Sequence, residues 1–312
     1  MFAPMLRRAV LFLFLAPACG DFDAASQPGA RDETARRWEL AGDWYPASPG
    51  DLDDAVGDLL DAVDAEPRPA LAVLTPHASL PVSGPTAAEV FARIELADRI
   101  ILLSPDHWGD GEPAAIWTDG PWLVPGHAIE IDHDLVAELR DALPDVAPDR
   151  TAFGNHEEEM QLPFLQYLHP DATIAPIALF DNSRRHFQGW EIERIQAWGD
   201  AIAGVVAAHR EAGEDVTLLV TTDLTHHEVL EIGDEQDAAL MSRIGALDVE
   251  GLFGDVTDGQ ISICGEIPTA ILMAALRALG RDSIEVIGRG SSYLHNGDED
   301  DVIGYPAAAA WR

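Results

Sequence analysis

LAVLTPHASLPVSG, residues 71–84, opens as a short apolar run and stops at a proline. Leu71, Ala72, Val73 and Leu74 read as a buried strand. Pro76 has no N–H to give to a sheet ladder, so the strand ends there. His77 then falls just past the carboxyl end of the strand, the edge where ligands gather in open α/β sheets. The same grammar recurs twice. Arg99-Ile100-Ile101-Leu102-Leu103 runs into Ser104-Pro105-Asp106-His107, and Val216-Thr217-Leu218-Leu219-Val220 runs into Thr221-Thr222-Asp223-Leu224-Thr225-His226-His227. A single histidine after a strand is usually a loop or core residue. Three strands that each deliver histidine predict a shared site on one edge of a parallel sheet.

Elsewhere the chain alternates strand and helix signals. Helices are expected over 52–63, from Asp132-His133-Asp134 through Leu143, and over 191–209, 237–244, 249–253 and 269–279; strands over 114–118, 172–179, 284–287 and 302–307. Another helix is expected to start at Ser83-Gly84-Pro85, with Pro85 in its first turn and Ser83 as its cap, its N–H groups open to an anion. Residues 121–127 read as loop. The fold class is α/β: a single-domain sandwich around a mixed, largely parallel sheet. Its 312 residues suffice for one large domain even without the first ~35.

The charge is lopsided. There are 19 basic residues, all arginine, against 55 acidic ones, for a formal net charge of −36. Such a surface repels nucleic acid and anionic membrane, so no nucleic-acid partner is expected. The acids are spread along the chain, as on a solvated surface.

Residues 1–20 have the form of an export signal: Arg7 and Arg8, then an apolar stretch over 9–16 too short to span a bilayer, then Ala16-Pro17-Ala18 as a small-residue cleavage site. Cys19 follows directly, so either plain cleavage or lipid attachment is expected there. Residues 21–37 read as a flexible tether and 38–312 as the folded domain. The protein is thus expected to be exported, periplasmic or held to a membrane only through lipid on Cys19. The chain has two cysteines, Cys19 and Cys264, which leaves Cys264 without a disulfide partner once Cys19 is removed or lipidated. Cys264 precedes a predicted helix, where a thiolate is favoured.

The candidate site is therefore His77, His107, Asp223, His226 and Cys264. His156 and Glu159 of the acidic stretch HEEEMQLPFLQ stand behind it, whereas Glu157 and Glu158 read as an N-terminal acidic turn. Imidazole and thiolate suit iron, zinc or copper rather than magnesium. Two histidines and one anionic ligand leave open positions on a metal, as in non-heme iron and catalytic zinc sites. A cysteine–histidine nucleophile pair is the alternative, but it needs fewer residues than are gathered here. No nucleophile elbow, P-loop or dinucleotide glycine motif is present.

Across about residues 41–309 the sequence resembles the Memo family, also called AmmeMemoRadiSam system protein B. The carriers are AGDWYP (41–46), PHAS (76–79) with SGP (83–85), SPDH (104–107), HEEEMQLPFLQ (156–166), TTDLTHH (221–227), CGEIP (264–268) and IGY (303–305). The family is similar in fold to LigB-type class III extradiol dioxygenases. The resemblance implies His77, His107 and Cys264 as metal ligands, with Asp223 and His226 lining the same pocket, His226 as a further ligand or acid–base group. It implies Fe(II), with copper or zinc as alternatives, and a redox enzyme acting on a small molecule. It equally allows a binding module for a peptide or anion, since eukaryotic relatives bind phosphotyrosine-containing partners, or a zinc hydrolase on the same ligands. The chain departs from the family pattern at His77-Ala78-Ser79-Leu80, where PHAGY is usual, at Asn155-His156-Glu157, where EHS is usual, and at Leu123-Val124-Pro125-Gly126, where a Thr-Pro-Leu-Gly-like loop is usual.

Overall fold

The structure, a computed structural model, describes residues 32–109, 111–143, 145–154, 157–180, 189–259 and 261–312. The expected export segment with Cys19, and His156, lie outside the described residues. Along the chain the elements are α1 (Pro49–Asp61), β1 (Arg68–Thr75), α2 (Leu80–Phe91), β2 (Ile94–Glu95), β3 (Arg99–Asp106), β4 (Ala114–Ile116), β5 (Trp122–Val124), β6 (His127–Ile131), α3 (His133–Ala142), β7 (Ala147–Pro148), α4 (Leu162–Leu168), β8 (Thr173–Phe180), α5 (Ile192–Ala212), β9 (Val216–Thr221), α6 (Leu230–Gly245), α7 (Val249–Thr257), α8 (Glu266–Ala278), β10 (Glu285–Ser291), α9 (Tyr293–Asn296) and β11 (Gly304–Trp311).

The sheet runs β10-β11-β1-β9-β3-β8-β4-β7, with β2, β5 and β6 pairing off that path. The three strands that end in histidine are adjacent. β1 pairs with β9 and β9 with β3, both parallel, with Thr75 opposite Thr221 and Leu103 opposite Val220. Their carboxyl ends therefore share one edge. β8 continues the parallel run, and β11 closes on β1 antiparallel. Helices α3, α5, α7 and α8 form one packed group, with α8 on β3 and β9; α1 and α4 pack together, and α2 lies on β1, β10 and β11. The central strands β1, β3, β8 and β9 are buried along most of their length, so their sequences are continuous apolar runs rather than alternating ones.

Five local expectations change. The helix expected to begin at Ser83 starts at Leu80, with Pro81 in its first turn and Pro85 inside it. The Ser83 hydroxyl is buried and donates to the Ala78 carbonyl at 2.8 Å, so no anion-facing N-terminus lies there. Pro85 gives up one backbone bond, the one its missing N–H would make to the fourth residue back. Residues 122–131 are a hairpin: Val124 opposes His127 across Pro125-Gly126, and Gly126 at φ +86 supplies the positive angle a Pro-Gly turn requires. The segment 230–245 is a longer helix than expected, starting well before Asp237. The acids at 157–159 do not start a long helix. A short 3-10 turn at Glu159–Gln161 leads into α4, where Pro163 occupies the first turn. The folded body also reaches back into the stretch expected as tether, because Ala35 and Arg36 are buried.

Candidate metal centre

His77 leaves β1 two residues after Thr75, and its ring sits among groups from two other elements. Its Nδ1 lies 3.0 Å from the Thr221 hydroxyl at the end of β9, and its Nε2 lies 3.1 Å from Cys264 Sγ. Thr221 in turn accepts from Gln161 Nε2 at 3.0 Å, and the same amide donates to the Pro76 carbonyl at 2.9 Å. Gln161 and Thr221 thus fix the ring from behind.

Cys264 is brought in by a short antiparallel bridge to Asp223, with Cys264 N–H donating to the Asp223 carbonyl at 3.2 Å. The Asp223 N–H points back at Cys264 Sγ, also 3.2 Å away, a contact that favours thiolate. Gly265 follows at φ +93, and a Cβ there would lie 2.9 Å from the Thr222 hydroxyl; only glycine makes this approach without strain. The Asp223 Oδ1 accepts the His77 N–H at 3.0 Å, while Oδ2 lies 3.9 Å from His77 Nε2. Burial raises the Asp223 carboxyl to about 7, against the lowering effect of the His77 and Ala78 amides.

His107 follows β3 directly, and its ring meets that of His77 edge-on at 5.7 Å. Its Nε2 lies 3.3 Å from Glu157 Oε1. Burial, with Glu158 and Asp106 nearby, pushes the Glu157 carboxyl well up. His226 has its Nδ1 2.7 Å from the Leu224 carbonyl, and burial lowers the ring to about 4, so it stands neutral. His227, beside it, is held at φ +61 and pairs with Asp301 at 2.8 Å. Strain of this kind in a non-glycine residue is typical of site loops. The Tyr305 hydroxyl on β11 is pushed up by burial and by Asp223 and Cys264.

Two sets of three donor atoms result: His77, His107 and Cys264, and Asp223, His226 and Cys264. In each set the atoms lie within 4.8 Å of one another. An ion bonded at about 2.0–2.3 Å draws its donors to within about 3–4.5 Å of one another, so each set is spaced close to what one cation requires. His77 meets a further requirement, since its second ring nitrogen has a hydrogen-bond partner that orients the ring.

Glu159 is brought to a different place. Its carboxylate takes Arg36 Nη1 at 2.9 Å, the Tyr45 hydroxyl at 2.7 Å and the Glu39 and Leu40 amides, all buried or half-buried. It anchors the N-terminal segment, and Glu157 instead is the carboxylate beside His107. Gln161, Glu157 and Tyr305 escaped the sequence reading. The first two lie in the acidic stretch and Tyr305 in the terminal IGY, but nothing in their spacing points at the histidines. A cleft of about 640 Å³ lined by Asp98, Asp132, His133 and His169 opens at the opposite edge of the sheet and includes none of the site residues.

Fold and site together define a single-domain α/β protein with a histidine–cysteine–carboxylate donor cluster on the carboxyl edge of its parallel strands. The profile of Memo-like proteins matches residues 36–309. A MEMO1 family protein of Methanopyrus kandleri is 31% identical over 283 residues, covering 86% of this chain and 96% of its own. One from Methanosarcina barkeri is 30% identical over 273 residues, covering 87% and 98%. The chain belongs to the Memo-like family. Among solved structures, an uncharacterized Escherichia coli K12 protein aligns with a TM-score of 0.48 and 14% identity, over 76% of this chain and 98% of that one.

Proposed function

We propose that this protein is a metal-dependent redox enzyme, dioxygenase-like, that acts on a small molecule with Fe(II) held by His77, His107 and Cys264. The observation that carries the reading is the approach of those three donor atoms to within 4.8 Å, His77 and His107 from the ends of β1 and β3 on either side of β9 and Cys264 from the segment before α8. A bound iron or copper ion would supply one-electron redox chemistry. The protein's own groups handle protons. His226 is neutral, and its Leu224 contact assigns the ring proton to Nδ1, so Nε2 is the atom that accepts a proton. Asp223 faces the same site, with the His77 amide fixing the direction of its carboxyl, as a positioned acid–base group.

A zinc hydrolase is the second reading, favoured by the donor set itself, since two histidines or cysteines with one more ligand also describe catalytic zinc. Metal content separates the readings. The full chain, purified anaerobically, is expected to carry near-stoichiometric iron or copper by elemental mass spectrometry, lost in His107→Ala and in Cys264→Ser. Zinc alone, with turnover of esters or amides, would favour the hydrolase; no uptake of any offered metal would leave a peptide- or anion-binding module.

The reading includes export by residues 1–20, ending either in plain cleavage to a periplasmic protein or in a lipid anchor on Cys19, and fractionation decides between them. An anchored protein is expected in the membrane pellet and to leave it in Cys19→Ala, whereas a cleaved one is expected in the soluble periplasmic fraction. Wild type that is soluble throughout would rule out the anchor.

A further inference from the structure

The two donor sets share one atom, Cys264 Sγ. We propose that Asp223, His226 and Cys264 form a second position for a divalent transition-metal ion, beside the one formed by His77, His107 and Cys264, with the Cys264 thiolate bridging both. The inference rests on the reading that Cys264 is a metal ligand and goes beyond it.

The geometry points to ligation in three ways. The hydrogen bond from His226 Nδ1 to a main-chain carbonyl is the arrangement that orients a metal-binding imidazole and leaves Nε2 as its donor atom. His77 repeats it, with Nδ1 on Thr221 and Nε2 beside Cys264 Sγ. In Asp223, one carboxylate oxygen is taken by the His77 amide, and the other is the one nearest the cluster, 3.9 Å from His77 Nε2. The two histidines thus approach the same sulfur, one from the end of β1 and one from the loop after β9. A thiolate has lone pairs for two ions, and paired ions in two-metal sites stand about 3.5–4 Å apart. The donor set of imidazole, thiolate and a single carboxylate selects cobalt, copper, zinc or iron over calcium or magnesium.

Cobalt(II) tests this. Metal-free full-length protein is titrated anaerobically, following the visible cobalt–thiolate bands and the electron paramagnetic resonance signal. Two tight equivalents are expected, with the signal growing over the first and collapsing over the second as the bridged ions couple. Asp223→Asn/His226→Ala is expected to stop at one equivalent and keep its signal. Saturation of the wild type at one equivalent overturns the inference, and so does a second equivalent that leaves the signal uncoupled; that outcome needs no variant to fold. Wild type that takes up no cobalt, iron or copper at all would sink the enzyme reading as well.

Discussion

Glu159→Ala is expected to destabilise the protein by about 3–5 kcal/mol, the usual cost of breaking a buried ion pair from one side. Arg36 is buried, and Glu159 is fully so. The carboxylate accepts from Arg36, from the Tyr45 hydroxyl and from the Glu39 and Leu40 amides. Removing it strands four donors at once and takes from the guanidinium its directly paired carboxylate, with the Phe153 carbonyl at 2.9 Å, the Trp122 ring at 4.8 Å and the field of the buried Glu158 still beside it. Urea unfolding followed by tryptophan fluorescence measures the loss. Arg36→Met/Glu159→Leu should recover much of it, because an apolar pair restores packing without stranding a charge. Metal affinity of the folded variant should be unchanged, since none of these contacts reaches His77, His107 or Cys264. A loss below about 1 kcal/mol, or a lost metal ion in a protein that remains folded, would show that Glu159 belongs to the metal pocket after all.

That network also marks where sequence reading stops. The three histidine-bearing strand ends were legible because each strand is an apolar run closed by polar residues or a proline, and a parallel sheet gathers such ends on one edge. Cys264 was legible as a thiol with no expected disulfide mate, ahead of a helix. The acidic stretch was not. Glu157, Glu158 and Glu159 are consecutive, yet the first two reach His107 and Ser104 at the end of β3 while the third turns away to Arg36 in the N-terminal stretch. In a turn, neighbouring side chains diverge with no period to read, so only the tertiary structure says which carboxylate meets His107. Pro85 misled for a related reason: a proline suits a first helical turn, but Pro81 had already taken that position, and the packing of α2 on the sheet outweighs one missing bond.

Glu158→Gln is expected to make the metal-free protein more stable at pH 8 while changing it little at pH 5. Glu158 is fully buried, and desolvation raises its carboxyl to about 7 from 4.5, even though Arg36 and the Ser104 hydroxyl oppose the rise. Its Oε1 accepts from Ser104, and Oε2 has no hydrogen-bond partner among the described residues. Between about pH 4.5 and 7 the folded protein therefore keeps a proton that the unfolded chain releases, and stability must fall as pH rises through that window. Above it both states are ionised and the burial penalty is complete, on the order of 3 kcal/mol at about 1.4 kcal/mol per pH unit. Glutamine keeps the acceptor for Ser104 and removes the charge, although its amide adds donors that offset part of the gain. The difference between variant and wild type should thus grow by about 2–3 kcal/mol from pH 5 to pH 8, read from urea midpoints at both. Comparing the two proteins at each pH cancels the self-repulsion of the acidic surface, which weakens both alike. A difference that is flat with pH would mean that Glu158 is ionised throughout, its charge held by Arg36, and the wall behind His107 would then carry a fixed negative charge.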